Sequence, residues 1–182
     1  MTRTKILLVC TANQCRSPLA AAIARRGVEK LPIDFDSAGL LEGGHTMPPV
    51  GIRVAGEIGL DLTGHISRQL NLRAAHSYAV ILTMTREQAR EIVATAPDLW
   101  PRVFTLKQFA RWLHDHPYPG GSTLGSWLKT EASDRAKTDL VGSNASDDVR
   151  DPLTSPARVW RSVANELQDQ ISSILSGLSM LT

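Results

Sequence analysis

Along the chain, short continuous apolar runs alternate with stripes of apolar residues at helical spacing. The run "KILLVC" (5–10) is rich in branched side chains, which predicts a strand buried on both faces. "SPLAAAIARRGVEK" (17–30) predicts the first helix, with Ser17 and Pro18 as start signals and an alanine-rich body. "IDFDSAG" (33–39) alternates apolar and polar positions and predicts a second strand ending in small turn residues. Val50, Val54 and Ile58 then repeat at helical spacing, with a stop near Gly59. "YAVILTM" (78–84) predicts a third buried strand, and "TREQAREIVATAP" a helix capped by Thr85. "RVFTL" predicts a short fourth strand and "KQFARWLHDH" a fourth helix. Val159, Val163, Leu167, Ile171 and Leu175 mark a long amphipathic final helix. Strands alternating with helices predict an α/β fold of three layers, a four-stranded parallel sheet with helices on both faces.

Residues 117–148 break this order. They are rich in Gly, Ser, Pro and Asp with little periodicity, and they predict a long surface loop with a short helical turn around 124–128. With 182 residues, the chain fits one domain, 1–182, with that loop inserted in it. Lys plus Arg is 20 against 18 for Asp plus Glu, a balanced surface that argues against a nucleic-acid partner. The apolar run near the N-terminus is too short for a signal peptide, and no stretch approaches the ~20 apolar residues of a membrane span. A cytoplasmic protein is expected. The two cysteines, Cys10 and Cys15, are too few for a disulfide framework, which points to reactivity.

The chemistry concentrates in "VCTANQCRSP" (9–18), where the first strand turns into the first helix. A tight loop ahead of a helix aims backbone N–H groups at one point and makes an anion site of residues Thr11, Ala12, Asn13, Gln14, Cys15, Arg16 and Ser17. The positive end of the helix favours a thiolate at Cys10, and Arg16 offers a planar fork for two phosphate oxygens. Alone, Cys10 reads equally as a buried strand-end cysteine and Arg16 as a solvated charge. The spacing C-x5-R-S between strand and helix selects phosphoryl transfer to sulfur. That reaction needs a proton donor for the leaving oxygen and then a base for water. Asp151, held extended by Pro152, is the candidate for both steps, with Asp147 and Asp148 as fallbacks.

The stretch resembles the phosphate-binding loop of the low-molecular-weight protein tyrosine phosphatases, usually V-C-x-G-N-x-C-R-S-P. The resemblance continues through "SAG" (37–39), "GHISRQL" (64–70), "YAVILTM" and "RDP" (150–152). "SAGLLEGGHTMPP" is closest to the bacterial branch often found beside exopolysaccharide genes and tyrosine autokinases. The resemblance implies Cys10 as nucleophile, Arg16 as phosphate-binding arginine and Asp151 as general acid and base. It also implies that Ser17 donates to the thiolate, that Asn13 holds the loop's unusual backbone, and that His65 supports Asn13. Cys15 is implied as a redox partner shielding Cys10 from over-oxidation; its plain reading is a small packing residue. The expected partner is a phosphotyrosine protein, a bacterial tyrosine autokinase among the candidates, with phosphate and other oxyanions as ligands. His45, His76, His114 and His116 form no metal-ligand pattern, so neither metal nor cofactor is expected.

The chain departs from the family at several points. Ala12 replaces a glycine, at a cost of about 1 kcal/mol if that position needs positive φ. Gln14 replaces an apolar residue. Leu153 and Thr154 follow "DP" in place of tyrosines, so Tyr118 and Trp127 have two readings, as a replacement substrate wall or as packing for the long loop. Three rivals to a protein tyrosine phosphatase follow. An arsenate reductase of this fold would need two further cysteines, which the chain lacks. A binding module would hold phosphate or another oxyanion without turnover, and a third enzyme would act on small or phosphoserine-type phosphomonoesters.

Overall fold

The computed structural model describes residues 3–28 and 31–181. Four parallel strands, β1 (Thr4–Cys10), β2 (Ile33–Gly39), β3 (Val80–Thr83) and β4 (Val103–Thr105), stand in the order β2-β1-β3-β4. The register runs from Thr4 opposite Ile33 to Cys10 opposite Gly39, and Val9 lies opposite Thr83. Alternation along β1 divides the interior into two cores. Ile6, Leu8 and Cys10 enter one, Leu7 and Val9 the other, so both faces of this central strand are covered, as its unbroken apolar run requires.

The larger core lies under the helices α1 (Arg16–Gly27), α2 (Pro49–Glu57), α5 (Leu106–Asp115) and α7 (Ala157–Gly177). The smaller lies under α3 (Leu72–Ala75), α4 (Arg86–Thr95) and a 3-10 turn at Pro97–Arg102. The expected elements are all present, most of them trimmed at the ends; Glu29 and Lys30, the end of the first predicted helix, lie outside the described residues. Of the expected stripe, α7 buries Val163, Leu167 and Ile171, leaves Val159 and Leu175 half-buried, and adds Trp160, Ala164 and Ile174. No helix among the described residues is long and apolar enough to cross a membrane.

The segment 117–148 differs from the expected loop. Leu124–Glu131 forms a two-turn helix, α6, with Thr123 accepting from the Ser126 N–H as its cap. Its apolar positions are few, but Leu124 and Leu128 are buried in the larger core. The segment is fastened by aromatic and cationic contacts. Trp127 meets Trp112 of α5 at 5.0 Å and Tyr118 at 5.3 Å between ring centroids. Arg135 lies over the Phe104 ring at 3.4 Å and donates to the carbonyls of Trp100 and Val103. Tertiary contacts that leave no periodic trace in the sequence therefore order it.

The phosphate loop stands at the carboxyl end of β1, between β2 on one side and β3 on the other. From there the chain builds outward in both directions, and such a reversal opens the crevice in which α/β sheets bind ligands.

Candidate active site

β1 ends at Cys10 and α1 begins at Arg16, so the intervening loop is only five residues long. Asn13 is the one non-glycine residue with positive φ, 53°, among the described residues. Asparagine tolerates this left-handed conformation better than most residues, and here three contacts hold it. Its Nδ2 donates to Ser17 Oγ at 2.9 Å, its Oδ1 accepts from the Arg68 N–H at 2.9 Å, and its carbonyl accepts from His65 Nε2 at 2.7 Å. A carbonyl only accepts, so His65 carries its proton on Nε2. Ala12 does not have positive φ, and the strain cost expected for it does not arise. The tight approach falls on Gly39 instead, where an added Cβ would lie 2.8 Å from both Ala12 C and Asn13 N.

Cys10 is buried, and its sulfur lies 3.0 Å from Ser17 Oγ. Since Asn13 supplies a donor to that oxygen, the Ser17 hydrogen is left to point at the sulfur or at the Ala38 carbonyl 3.3 Å away. Among the described residues, no hydrogen-bond partner is present for the backbone amides of residues 12–16. Arg16, almost fully buried, donates from Nη1 to the Val149 carbonyl at 3.1 Å and from Nη2 to Asp151 Oδ2 at 2.5 Å. Its Nε is buried without a protein partner. These groups surround a narrow pit lined by the buried Cys10, Cys15 and Arg16 and by the more exposed Ala12, Gln14, Asp151 and Leu153.

The remaining predicted residues divide clearly. Thr11 lies on the outer side of the loop, its hydroxyl accepting from Gln88 Nε2 at 3.0 Å. Cys15 is buried, and burial, with Asp151 and Cys10 nearby, pushes its thiol up to about 12. It is therefore a neutral thiol at physiological pH. The Asp151 side chain is 46% exposed, and its Oδ1 accepts from the Leu153 N–H at 3.0 Å, which holds the turn after Pro152. Asp147 and Asp148 are not at the pit: Asp147 is buried against Arg86 and Arg111, and Asp148 accepts from the Arg86 N–H. Tyr118 and Trp127 pack on each other, Trp127 packs also on Trp112, and neither lines the pit, so the wall reading falls and the packing reading stands. Sequence reasoning missed Arg68 and Gln88. Gln88 carries a local signal, since Thr85 and Gln88 form a reciprocal capping box; Arg68 acts through its backbone, which has none.

A buried thiol below unpaired amides and a guanidinium, with a carboxyl at the opening, is an arrangement suited to nucleophilic attack on a tetrahedral oxyanion. The comparisons agree with it. The chain is 33% identical over 114 residues to the low molecular weight protein-tyrosine-phosphatase Wzb of Escherichia coli K12, covering 63% of this chain and 75% of that one. It is 28% identical over 176 residues to a protein-arginine-phosphatase of Geobacillus stearothermophilus, covering 96% of this chain and 95% of that one. The solved structure of the YwlE arginine phosphatase from Geobacillus stearothermophilus superposes with a TM-score of 0.72 at 26% identity, covering 97% of this chain and 93% of that one. The family model for low molecular weight phosphotyrosine protein phosphatases matches residues 5–123. With relatives that are phosphatases and a loop whose Cys10 is consistent with a cysteine-dependent mechanism, the chain belongs to the low molecular weight phosphotyrosine protein phosphatase family.

Proposed function

We propose that the protein hydrolyses phosphotyrosine on proteins through a phosphocysteine on Cys10. The observation that carries the reading is the meeting of Arg16 Nη2 and Asp151 Oδ2 at 2.5 Å over a pit containing Cys10. Arg16 and the amides of the loop bind the phosphoryl oxygens, with the buried, unpartnered Arg16 Nε as a further donor. A phosphate dianion competes with the Asp151 carboxylate for Arg16, which frees the carboxyl to take up a proton and turn to the leaving oxygen. The Cys10 thiolate attacks phosphorus, Asp151 protonates the departing phenol, and phosphate remains on sulfur. Asp151, now ionised, takes a proton from water as it attacks the phosphocysteine, and Ser17 eases sulfur's departure by donating to it. The loop stabilises the spread charge of the transition state.

His65 and Arg68 support this chemistry indirectly by holding Asn13. A reducing, cytoplasmic setting suits Cys10 and Cys15, both free thiols. Partners of this reading are phosphotyrosine proteins, a bacterial tyrosine autokinase among them.

A second reading has an observation of its own. Among the described residues no aromatic side chain lines the pit, whose more exposed apolar lining is Ala12 and Leu153, and a relative that matches nearly the whole chain is named a protein-arginine-phosphatase. An aliphatic rim suits the slender guanidinium of phosphoarginine as well as it suits a ring.

The test is hydrolysis of p-nitrophenyl phosphate from pH 5 to 8 by the native protein and Cys10→Ser, followed by a phosphotyrosine peptide and a phosphoarginine protein. We expect turnover only with Cys10, phosphate binding in both proteins, and faster release from phosphotyrosine. Residual turnover in Cys10→Ser removes the nucleophile assignment; preference for phosphoarginine promotes the second reading.

A further inference from the structure

Asp147 is a fully buried ionisable group that the chemistry above does not use. Its carboxylate accepts from Arg86 Nε at 2.5 Å and Gln108 Nε2 at 2.9 Å, and it is paired with Arg111. Beside it, Asp148 accepts from the Arg86 N–H at 2.7 Å and from the Asn144 N–H at 3.1 Å. Lys107 donates to the carbonyls of Ala145 and Asp148, at 3.0 and 2.9 Å. Arg86 opens α4, whereas Lys107, Gln108 and Arg111 belong to α5. The end of the 117–148 segment is thus tied to two helices at once.

What lies downstream gives this cluster its consequence. Asp151 follows Asp148 by three residues, a reach of at most about 11 Å. Between them, Val149 donates to the Met84 carbonyl at 2.7 Å and accepts from Arg16 at 3.1 Å. The same helix start also holds the phosphate loop. Gln88 accepts from the N–H groups of Met84 and Thr85 at 2.9 and 3.1 Å, and its Nε2 donates to Thr11 at 3.0 Å. Arg86 and Gln88 stand two residues apart on one turn, one gripping the root of the acid loop and the other the nucleophile's loop.

A buried carboxylate paired with arginines is a poor choice for stability alone, because apolar packing commonly does as well without the desolvation penalty. What it supplies is directional fixation. We propose that Asp147, through Arg86 and Arg111, is a positioning residue that sets where Asp151 stands relative to Cys10. The inference rests on the reading of Asp151 as the general acid.

The experiment compares kcat/KM for phenyl phosphate, whose leaving group needs a proton, with p-nitrophenyl phosphate, whose leaving group hardly does. Asp147→Asn should lower the first about 10-fold and the second by no more than about 2-fold. Added to Asp151→Asn, it should change neither, since a misplaced acid costs nothing where there is no acid. An equal loss on both substrates, or a further loss in the Asp151→Asn background, overturns the positioning role and leaves Asp151's own role standing. If Asp151→Asn itself loses both substrates equally, the acid assignment has failed and this inference fails with it. Should Asp147→Asn not fold, Arg111→Gln, at a half-exposed partner, takes its place: a selective loss on phenyl phosphate supports the role, and an unchanged ratio between substrates overturns it.

Discussion

Gly39 closes β2 with its Cα facing the backbone of the phosphate loop, and the space there admits a hydrogen but no methyl group. Gly39→Ala would place a carbon 2.8 Å from Ala12 C and Asn13 N, so the loop must shift while both cores remain packed. We expect phosphate affinity and kcat/KM to fall at least about 10-fold, since sub-ångström placement governs such sites, with little change in the thermal midpoint. Titration calorimetry with phosphate checks this; unchanged affinity would mean that the loop yields freely. Asn13 is the complementary case. Its positive φ is tolerable because three neighbours hold it, and Arg68, one of them, is itself anchored by its Nε to the Ser37 carbonyl at 2.7 Å.

Among the elements, α4 has the most consequential start. Thr85 caps it through the Gln88 N–H, and Gln88 answers through the Thr85 N–H. The cap positions Gln88 to reach Thr11 and leaves Arg86 at the first helical position, beside Asp147 and Asp148. Loss of such a cap costs about 1 kcal/mol. Thr85→Ala should lower the urea-derived unfolding free energy by that amount and also reduce activity, because the Gln88 N–H loses the Thr85 hydroxyl that fixes its turn of the helix. A stability loss without any loss of activity would separate the helix from the site. No side-chain cap hydrogen bond is present at α1 among the described residues; Cys15 and Arg16 at its start line the pit, where a capping oxygen would compete with a bound anion.

Across the whole molecule, the 117–148 segment joins the end of the sheet to the site. Trp127 and Arg135 fasten its first part against α5 and β4, and Asp147 fastens its last part. Burial alone would push the Asp147 carboxyl up, but hydrogen bonds from Arg111 and Arg86 outweigh it and hold the carboxyl below its ordinary range. A carboxyl with a depressed folded pKa contributes stability above its unfolded pKa of about 4 and loses that contribution as pH falls through the folded value. The urea midpoint should therefore hold between about pH 5 and 7 and drop below about pH 4, with a shallower drop in Asp147→Asn. Parallel curves for the two proteins would show that acid unfolding begins elsewhere. Glu57, Asp61 and Asp98 are also held low, by Arg161, Thr63 and His76, but at the surface, where solvent screens the gain.

Periodicity and local spacing by themselves determined the order of the four strands and of the five long helices, though not the short α3 or the full extent of α6, together with the strand-loop-helix that carries C-x5-R-S and the capping residue Thr85. Each depends on interactions within a few residues, and so each leaves a pattern along the chain. Tertiary structure alone decided which aspartate faces the pit. Asp147, Asp148 and Asp151 are chemically alike, and only the placement of Arg86, Arg111 and Arg16, up to 135 positions away in the chain, separates a buried anchor from an exposed carboxyl. It also decided that Ala12 lacks positive φ while Gly39 has no room for a Cβ, and that Tyr118 and Trp127 pack together away from the pit. Close approach and burial belong to pairs of residues remote in sequence, and no local pattern records them.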